Sequence, residues 1–190
     1  MRRVSVVGGS GSGKTTTGRA LADRMGVSFV EIDALHWTHP GWELPPLEEF
    51  RASVDAATRG DAWVVDGSYG KVRDIVWSRA DTVVWLDLPF PLMLWRTLRR
   101  TLSRIGSEHL LWGTQRETWR AAFFSRDSLL LFMIRTHHRR VRLYREWLAR
   151  YPHLRLVHLR GPREVERWLE ALDGRSSIPR SSAGRASEGR

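Results

Sequence analysis

Short apolar runs alternate along this chain with segments whose apolar residues recur at helical spacing. The runs predict five strands, at residues 4–7, 28–32, 62–65, 82–88 and 154–159. Helical spacing predicts helices at residues 15–25, 47–57 and 72–79, and a last helix that begins at Pro162. Alternation of strands with helices is typical of a parallel sheet covered on both faces, so the pattern predicts an α/β fold.

The pattern also divides the chain into a domain and a tail. A length of 190 residues suits a single domain, which we place at residues 1–173. Residues 91–150 are mostly helical by pattern, with a weak break near Gly106 and Gly113, and form an insertion before the fifth strand. Residues 174–190 contain mainly Gly, Ser, Arg and Pro. This composition offers almost no apolar surface to bury, so it predicts a disordered tail.

Charge is distributed unevenly, with a formal net charge of +10 that comes almost entirely from arginine. Only Lys14 and Lys71 are lysines, and residues 91–150 carry thirteen arginines against four acidic residues. Such a segment suits phosphate or nucleic-acid binding, or is simply a solvated helix surface. There is no cysteine, which excludes disulfides and thiolate metal sites. No apolar run is long enough to span a bilayer or resembles a cleavable leader, so we expect a cytoplasmic protein.

The strongest chemical signal is a glycine-rich loop between the first strand and the first helix. It fits the pattern G-x-x-x-x-G-K-[ST] at every fixed position. The residues expected to bind nucleotide are Gly8, Gly9, Ser10, Gly11, Ser12, Gly13, Lys14, Thr15 and Thr16. Backbone N–H groups of such a loop turn toward phosphate oxygens, and the helix N-terminus adds partial positive charge. Lys14 would contact the β- and γ-phosphates and Thr15 would ligate Mg²⁺, which predicts ATP and Mg²⁺ as cofactors.

Aspartates follow three of the predicted strands, at Asp33, Asp66 and Asp87. Ligands of open α/β sheets bind at the carboxyl ends of the strands, although a single Asp there more often caps a turn. We expect Asp33 to bind the acceptor or take its hydroxyl proton, and Asp66 to hold the water shell of Mg²⁺. The two roles could be exchanged. Pro89 follows Asp87 closely, so a structural role is expected for Asp87.

Three aromatic side chains stand in the loop after Asp33, on the expected acceptor side: His36, Trp37 and Trp42. Trp37 and Trp42 could form an aromatic floor for a ring or sugar, or they could simply pack. We include all three as candidate substrate contacts. Adjacent His137 and His138 do not have the spacing of a helical metal site.

The loop, the stretch 32–37 with Gly41-Trp42, and the stretch 63–69 (WVVDGSY) together resemble the adenylate-kinase-like P-loop proteins called topology-modulation, or FlaR-like, proteins. The resemblance covers about residues 1–172. It implies the nucleoside-monophosphate-kinase-like P-loop NTPase fold, with five parallel strands in the order 2-3-1-4-5, flanking helices and a helical lid at about 91–150. It also implies ATP binding and kinase activity, but it supplies no acceptor.

A wider resemblance to adenylate kinases rests on Asp66-Gly67 and on Asp87-Leu88-Pro89 followed by Arg96 and Arg100. It implies that the two arginines contact the adenine face and the phosphates of ATP. The acceptor-binding arginines of adenylate kinases are not recognisable in the first 60 residues, which argues against AMP as acceptor. One or two further lid arginines are expected to act, from a set that the sequence does not sort: Arg116, Arg120, Arg126, Arg135 and Arg139.

These observations predict an ATP- and Mg²⁺-dependent phosphotransferase, a P-loop kinase with Lys14, Asp33, Asp66, Arg96 and Arg100 as its catalytic groups. Its acceptor would be a small molecule or a nucleotide, and the protein would be a monomer or homodimer away from membranes. Two alternatives remain open: a nucleic-acid-binding ATPase that uses the arginine-rich segment, and a regulatory ATP-binding module with negligible turnover. No stacking platform or known DNA-binding motif favours the former. The preference between ATP and GTP stays open.

Overall fold

The computed structural model describes residues 1–38, 43–67, 69–105 and 141–176. One sheet of five parallel strands, in the order β2-β3-β1-β4-β5, forms its centre. The strands are β1 (Arg3–Gly8), β2 (Ser28–Glu31), β3 (Trp63–Asp66), β4 (Thr82–Leu86) and β5 (Arg155–Leu159). The predicted five-stranded sheet and its order are therefore confirmed.

Helices connect these strands and differ from the predicted ones mainly at one position. They are α1 (Lys14–Met25), α2 (Ile32–His36), α3 (Leu47–Ala57), α4 (Arg73–Arg79), α5 (Phe90–Ile105), α6 (141–149) and α7 (Pro162–Ser176). The short helix α2 was not predicted. Asp33 lies inside this helical turn rather than at the end of a strand. A helical hydrogen bond of 3.0 Å, from the Trp37 N–H to the Asp33 carbonyl, closes the turn.

Inner strands of the sheet are buried on both faces, which explains why their sequences are nearly continuous apolar runs. Ser5 is an exception in the middle of β1, and it is fully buried. Trp77 of α4 donates its indole N–H to the Ser5 hydroxyl at 3.2 Å. A buried hydroxyl costs free energy unless it is hydrogen-bonded, so this bond explains how a serine is accommodated in the core.

Two hydrophobic cores lie on opposite faces of the sheet, because successive strand residues alternate between the faces. The first core contains Val7, Val65 and Trp77 together with residues of α3, α4 and α6. The second contains Val6 and Val84 together with residues of α1, α5 and α7. The carboxyl ends of the neighbouring strands β1 and β3 lie at one edge of the sheet, between the two cores. The candidate site lies at this edge.

The predicted helical insertion is described only at its two ends, by α5 and α6. Residues 106–140 lie outside the described residues, and with them the predicted break and the five lid arginines that the sequence did not sort. Helix α7 runs to Ser176, three residues beyond the predicted end of the domain. The rest of the predicted tail, 177–190, also lies outside the described residues. Among the helices that are described, none is long and apolar enough to cross a membrane.

Candidate active site

The glycine-rich loop turns tightly between β1 and α1, and the start of α5 packs against it. Gly11 has a φ of +74°, a left-handed conformation that L side chains rarely adopt. A Cβ on Gly11 would collide with the carbonyl oxygen of Met93 and would lie 2.5 Å from the Thr97 hydroxyl. Only glycine therefore allows α5 to approach the loop this closely, and the approach fixes the shape of the loop.

A cavity of about 1100 Å³ opens above this loop at the carboxyl edge of the sheet. The predicted nucleotide-binding residues that line it are Gly8, Ser10, Gly11, Ser12, Gly13, Lys14, Thr15 and Thr16. Gly9 is not among the lining residues, but its carbonyl accepts a hydrogen bond of 3.1 Å from the Lys14 ammonium. This hydrogen bond holds the Lys14 side chain against the loop beside the cavity.

Thr15 and Asp66 are brought together from distant parts of the sequence. The Thr15 hydroxyl donates to Asp66 Oδ2 at 2.5 Å, at the end of β3 beside β1. Asp66 is only 3% exposed, and its Oδ1 has no hydrogen-bond partner among the described residues. Burial raises the pKa of Asp66, and this outweighs the Lys14 charge and the Thr15 hydrogen bond, which act in the opposite direction.

An unsatisfied carboxylate oxygen beside a hydroxyl is a donor set that suits Mg²⁺, which takes oxygen ligands. Among the described residues no cluster of three or more His, Asp or Glu side chains could hold a metal by itself. Mg²⁺ bound through one or two protein oxygens together with substrate phosphates needs no such cluster. Thr15 and Asp66 therefore fit the predicted ion.

Asp33 lies in α2 and lines the same cavity. The Tyr69 hydroxyl donates to Asp33 Oδ1 at 2.6 Å. Burial, followed by the charge of Asp33, raises the pKa of Tyr69, so the phenol keeps its proton and remains the donor. Gly67 permits this arrangement: its φ is +131°, and a Cβ there would lie 2.9 Å from Cβ of Ile32. The close contact brings α2 against the end of β3.

Candidate substrate residues beyond Asp33 are placed differently from one another. His36 is buried, and its ring packs against Phe50 at 4.6 Å and Tyr69 at 4.5 Å between centroids. Burial is also the main cause of the lowered pKa of His36. Neither His36 nor Trp37 is among the residues that line the cavity. The His36 ring packs against Tyr69, and the Trp37 ring packs against His36. Trp42 lies outside the described residues.

The two arginines of α5 lie over the glycine-rich loop. Arg100 Nη2 donates to the Ser10 hydroxyl at 3.3 Å. Arg96 Nη1 lies 3.9 Å from the position that a Cβ on Gly13 would take. Both line the cavity, on one face of α5 because they are four residues apart. They are therefore close to where phosphates would bind on the loop.

Asp87 has a different environment, as expected for a structural residue. Its Oδ2 is 2.9 Å from His158 Nε2, and the His158 ring stacks on Trp85 with 4.3 Å between centroids. Neither Asp87 nor His158 lines the cavity. The pair joins the ends of β4 and β5.

Residues that line the cavity without a role assigned from the sequence include Tyr69, Arg73 and Trp147. Tyr69 and Arg73 follow Asp66-Gly67 closely, and that proximity to a predicted metal-site residue was the available signal. Trp147 comes from α6, some eighty residues further along the chain, and no local pattern could have placed it here.

Comparison with known proteins covers part of this site. The pattern of the family described as ATPase family associated with various cellular activities (AAA) matches residues 4–87, which include β1 to β4 and the loop. The "Uncharacterized protein YqaC" of Bacillus subtilis is 27% identical over 117 residues, 61% of this chain and 66% of that protein. A shikimate kinase of Halorhodospira halophila is 33% identical over 114 residues, 52% of this chain and 64% of that enzyme. The chain thus matches slightly less than two thirds of the length of these relatives.

Among solved structures, a shikimate kinase from Bacteroides thetaiotaomicron superposes with a TM-score of 0.54 over 93% of this chain and 99% of that one, at 16% identity. At this identity the likeness concerns the fold. The sheet order, the glycine-rich loop and this superposition identify the chain as a P-loop NTPase fold, as the sequence predicted. The proteins that this chain matches in sequence include several shikimate kinases. The resemblance to the topology-modulation family stays a prediction.

Proposed function

We propose that this protein is a P-loop kinase that transfers a phosphoryl group from ATP to a small acceptor, with Mg²⁺ as its metal. The observation that carries the proposal is the shared cavity: the phosphate loop and Lys14 line it on one side, and Asp33 with Tyr69 lines it on another. A module that only hydrolyses ATP needs no second set of polar groups facing the phosphates. The shikimate kinases among the relatives support the same class of reaction.

In this proposal the loop binds the phosphates through its backbone N–H groups, and Lys14 leaves the Gly9 carbonyl to contact the β- and γ-phosphates. Thr15 and Asp66 would hold Mg²⁺, Asp66 through the water shell of the ion. When bound, the ion neutralises charge that develops on the phosphates. Arg96 and Arg100 add two further cations at the same place.

Asp33 is proposed to accept the proton of the attacking hydroxyl or to orient it. The Tyr69 hydrogen bond at 2.6 Å occupies Oδ1 of Asp33 and holds the carboxylate in one orientation, which leaves Oδ2 for the acceptor. This geometry favours Asp33 for the acceptor and Asp66 for the metal over the exchanged assignment. Asp66 accepts the hydrogen bond of the Thr15 hydroxyl, whereas Asp33 accepts that of Tyr69. His36 and Trp37 then act by supporting Tyr69.

The experiment that tests the proposal is an ADP-release screen of the full chain with MgATP. The panel contains hydroxy acids, sugars, sugar phosphates, nucleosides and nucleoside monophosphates, with shikimate included because relatives bear that name. We expect at least one acceptor to raise ADP release well above the acceptor-free rate and to yield a phosphorylated product by mass spectrometry. ADP release that no acceptor stimulates would contradict the kinase assignment and favour the regulatory module.

Arginine 100 provides a further test of the site. Replacing Arg100 by Ala should lower kcat about tenfold and weaken ATP binding less, because the charge it meets grows during transfer while Arg96 remains in place. Lysine should rescue poorly, since it lacks the planar fork that binds two phosphate oxygens. Steady-state kinetics and ATP titration on the same variants check this. Arg99→Ala, an exposed position on α5 that does not line the cavity, is the control.

A nucleic-acid-binding ATPase is the competing function, and the Arg100 variant also separates it from the kinase. If the arginines of α5 served nucleic acid, Arg100→Ala would reduce salt-dependent DNA affinity and leave kcat unchanged. The Arg100 contact with Ser10 of the loop supports the kinase instead. The domain limits at 1–173, the monomeric or homodimeric state and the cytoplasmic location remain predictions.

A further inference from the structure

The cavity is lined by Arg73, a cation that forms no ion pair with a carboxylate among the described residues. Arg73 is the first residue of α4, and its side chain lines the cavity with Asp33 and Tyr69. Its guanidinium carbon lies 3.3 Å from the centroid of the Trp147 ring and 5.5 Å from that of Trp77. Its Nε is buried without a hydrogen-bond partner in the described part of the chain.

Two arginines near Arg73 that do not line the cavity are paired with acidic side chains. Arg51 pairs with Asp74 at 2.6 Å, and Arg79 pairs with Asp55. The neighbour of Arg73 in sequence, Asp74, is thus engaged elsewhere. The groups that influence the pKa of Arg73 are its burial, which lowers it, and two tyrosines and Arg150, none of which is a carboxylate.

Burying a cation without a partner is unfavourable, and a stable fold gains little by keeping one. Stacking on Trp147 holds the planar guanidinium in one orientation, so its N–H groups are presented in a fixed fork. Such a fork matches the two oxygens of a carboxylate or a phosphate. We propose that Arg73, stacked on Trp147, is the anchor for an oxyanion of the acceptor, so that the acceptor is a hydroxyl compound that carries a carboxylate or phosphate group.

The inference rests on the proposed function for the position of the acceptor, because it takes Asp33 to face the reacting hydroxyl. Asp33 and Arg73 then contact different parts of the acceptor. The Asp33 carboxylate lies next to the reacting hydroxyl, and the Arg73 guanidinium lies next to the anionic group. A wholly neutral acceptor, such as a nucleoside or a free sugar, would leave the half-buried Arg73 without an anionic partner among the described residues. Anionic acceptors should therefore be preferred over neutral compounds of the same shape.

The test measures binding and turnover with matched pairs of probes on the full chain, at constant ionic strength and with MgADP or MgATP present. The pairs are gluconate with gluconamide, glucose 6-phosphate with glucose, and shikimate with its methyl ester. The pairs with gluconate and shikimate report on a carboxylate, and the sugar phosphate reports on a phosphate. For at least one pair we expect the anionic member to bind about tenfold more tightly than its neutral partner.

Arg73→Gln should abolish this preference and raise KM for the anionic acceptor about tenfold, with KM for ATP unchanged. Arg73→Lys should restore only part of it, because an ammonium lacks the fork. The control is Arg145→Gln, which removes the same charge from an exposed position on α6 that does not line the cavity. Its anion preference should equal that of the wild type.

Two results would overturn the inference: no anionic probe preferred by the wild type, or an unchanged preference in Arg73→Gln. An unchanged preference together with a loss of thermal stability would show that Arg73 serves the packing of α6. Failure of the kinase assignment is distinguishable. Arg73-dependent anion binding without any phosphoryl transfer would retain the inference and reject the kinase. Efficient transfer by the wild type to a neutral acceptor, with no preference for its anionic partner, would do the reverse.

Discussion

Replacing Lys14 by Ala should abolish ATP turnover and leave the fold intact. Lys14 is partly exposed at the start of α1, and its ammonium contacts only the Gly9 carbonyl among the hydrogen bonds of the structure. Its loss removes little from the fold. With ATP bound, the same ammonium would stabilise charge on the β- and γ-phosphates, and removing a preorganised charge of this kind costs roughly 3 kcal/mol or more of barrier. We therefore expect a loss of at least about 100-fold in kcat/KM.

The chain offers a matched control, because its other lysine is Lys71. Lys71 is exposed and does not line the cavity, so Lys71→Ala should retain turnover near the wild-type rate. ADP release, circular dichroism and thermal melting on both variants check the prediction. Wild-type turnover in a correctly folded Lys14→Ala protein would show that the phosphate loop is not the site of the reaction.

Replacing Asp66 by Asn should separate activity from stability. Asn has the same shape and can still accept the Thr15 hydrogen bond, but it cannot provide a charge for Mg²⁺. A group that acts on a metal through its water shell typically contributes about 10- to 100-fold in affinity or activity. We expect a loss of that size and a higher Mg²⁺ requirement, measured by Mg²⁺ titration of ADP release.

Asp66→Asn should lower activity but raise the thermal stability of the ligand-free protein. Because burial raises the pKa of Asp66 in the folded protein, its ionisation opposes folding. The contribution of Asp66 is fully favourable below its unfolded pKa of about 4 and is lost as pH rises through the raised folded pKa. Asp66→Asn therefore should raise the Tm of the ligand-free protein at pH 7, by about 2 to 4 °C for each kcal/mol gained.

Thermal melts at pH 4 and pH 7, with and without MgADP, test this. The gain in Tm should shrink toward pH 4, where the wild-type carboxyl is closer to neutral. MgADP should stabilise the wild type more than the variant, since binding to the native state raises its stability. A variant that is less stable than wild type at pH 7 would mean that Asp66 supports the fold through contacts that do not depend on its charge.

Sequence patterns predicted the structure well where a single segment contains all the residues that determine its conformation. The run at residues 4–7 followed by glycines and Lys14 predicted a strand, a phosphate loop and a helix in that order, and the structure has β1, the loop and α1 there. The apolar runs likewise predicted all five strands to within two residues at their ends. Burial on both faces of a parallel sheet requires such runs, so the strands can be recognised from the sequence alone.

Element boundaries and short elements were harder to predict from the sequence. The helix α2 has only five residues, too few to show periodicity, and its formation moved Asp33 from a strand end into a helical turn. The sequence indicated that Asp33, His36 and Trp37 belong to one region. It could not indicate that Asp33 would line the cavity while His36 would be buried behind Tyr69. That outcome depends on the close contact of Gly67 with Ile32.

By itself, then, the sequence determined the α/β fold and the phosphate loop, because each depends on residues that are neighbours along the chain. It also named Asp33, Arg96 and Arg100 among the residues that line the cavity. The tertiary structure decided which groups meet: Thr15 with Asp66 across 51 positions, Arg100 with Ser10 across 90, and Arg73 with Trp147. Contacts of this kind depend on how helices pack at the edge of the sheet, which no local spacing encodes. The unpaired charge of Arg73 is visible only once its surroundings are known, since an arginine in a sequence carries no sign of whether a carboxylate will reach it.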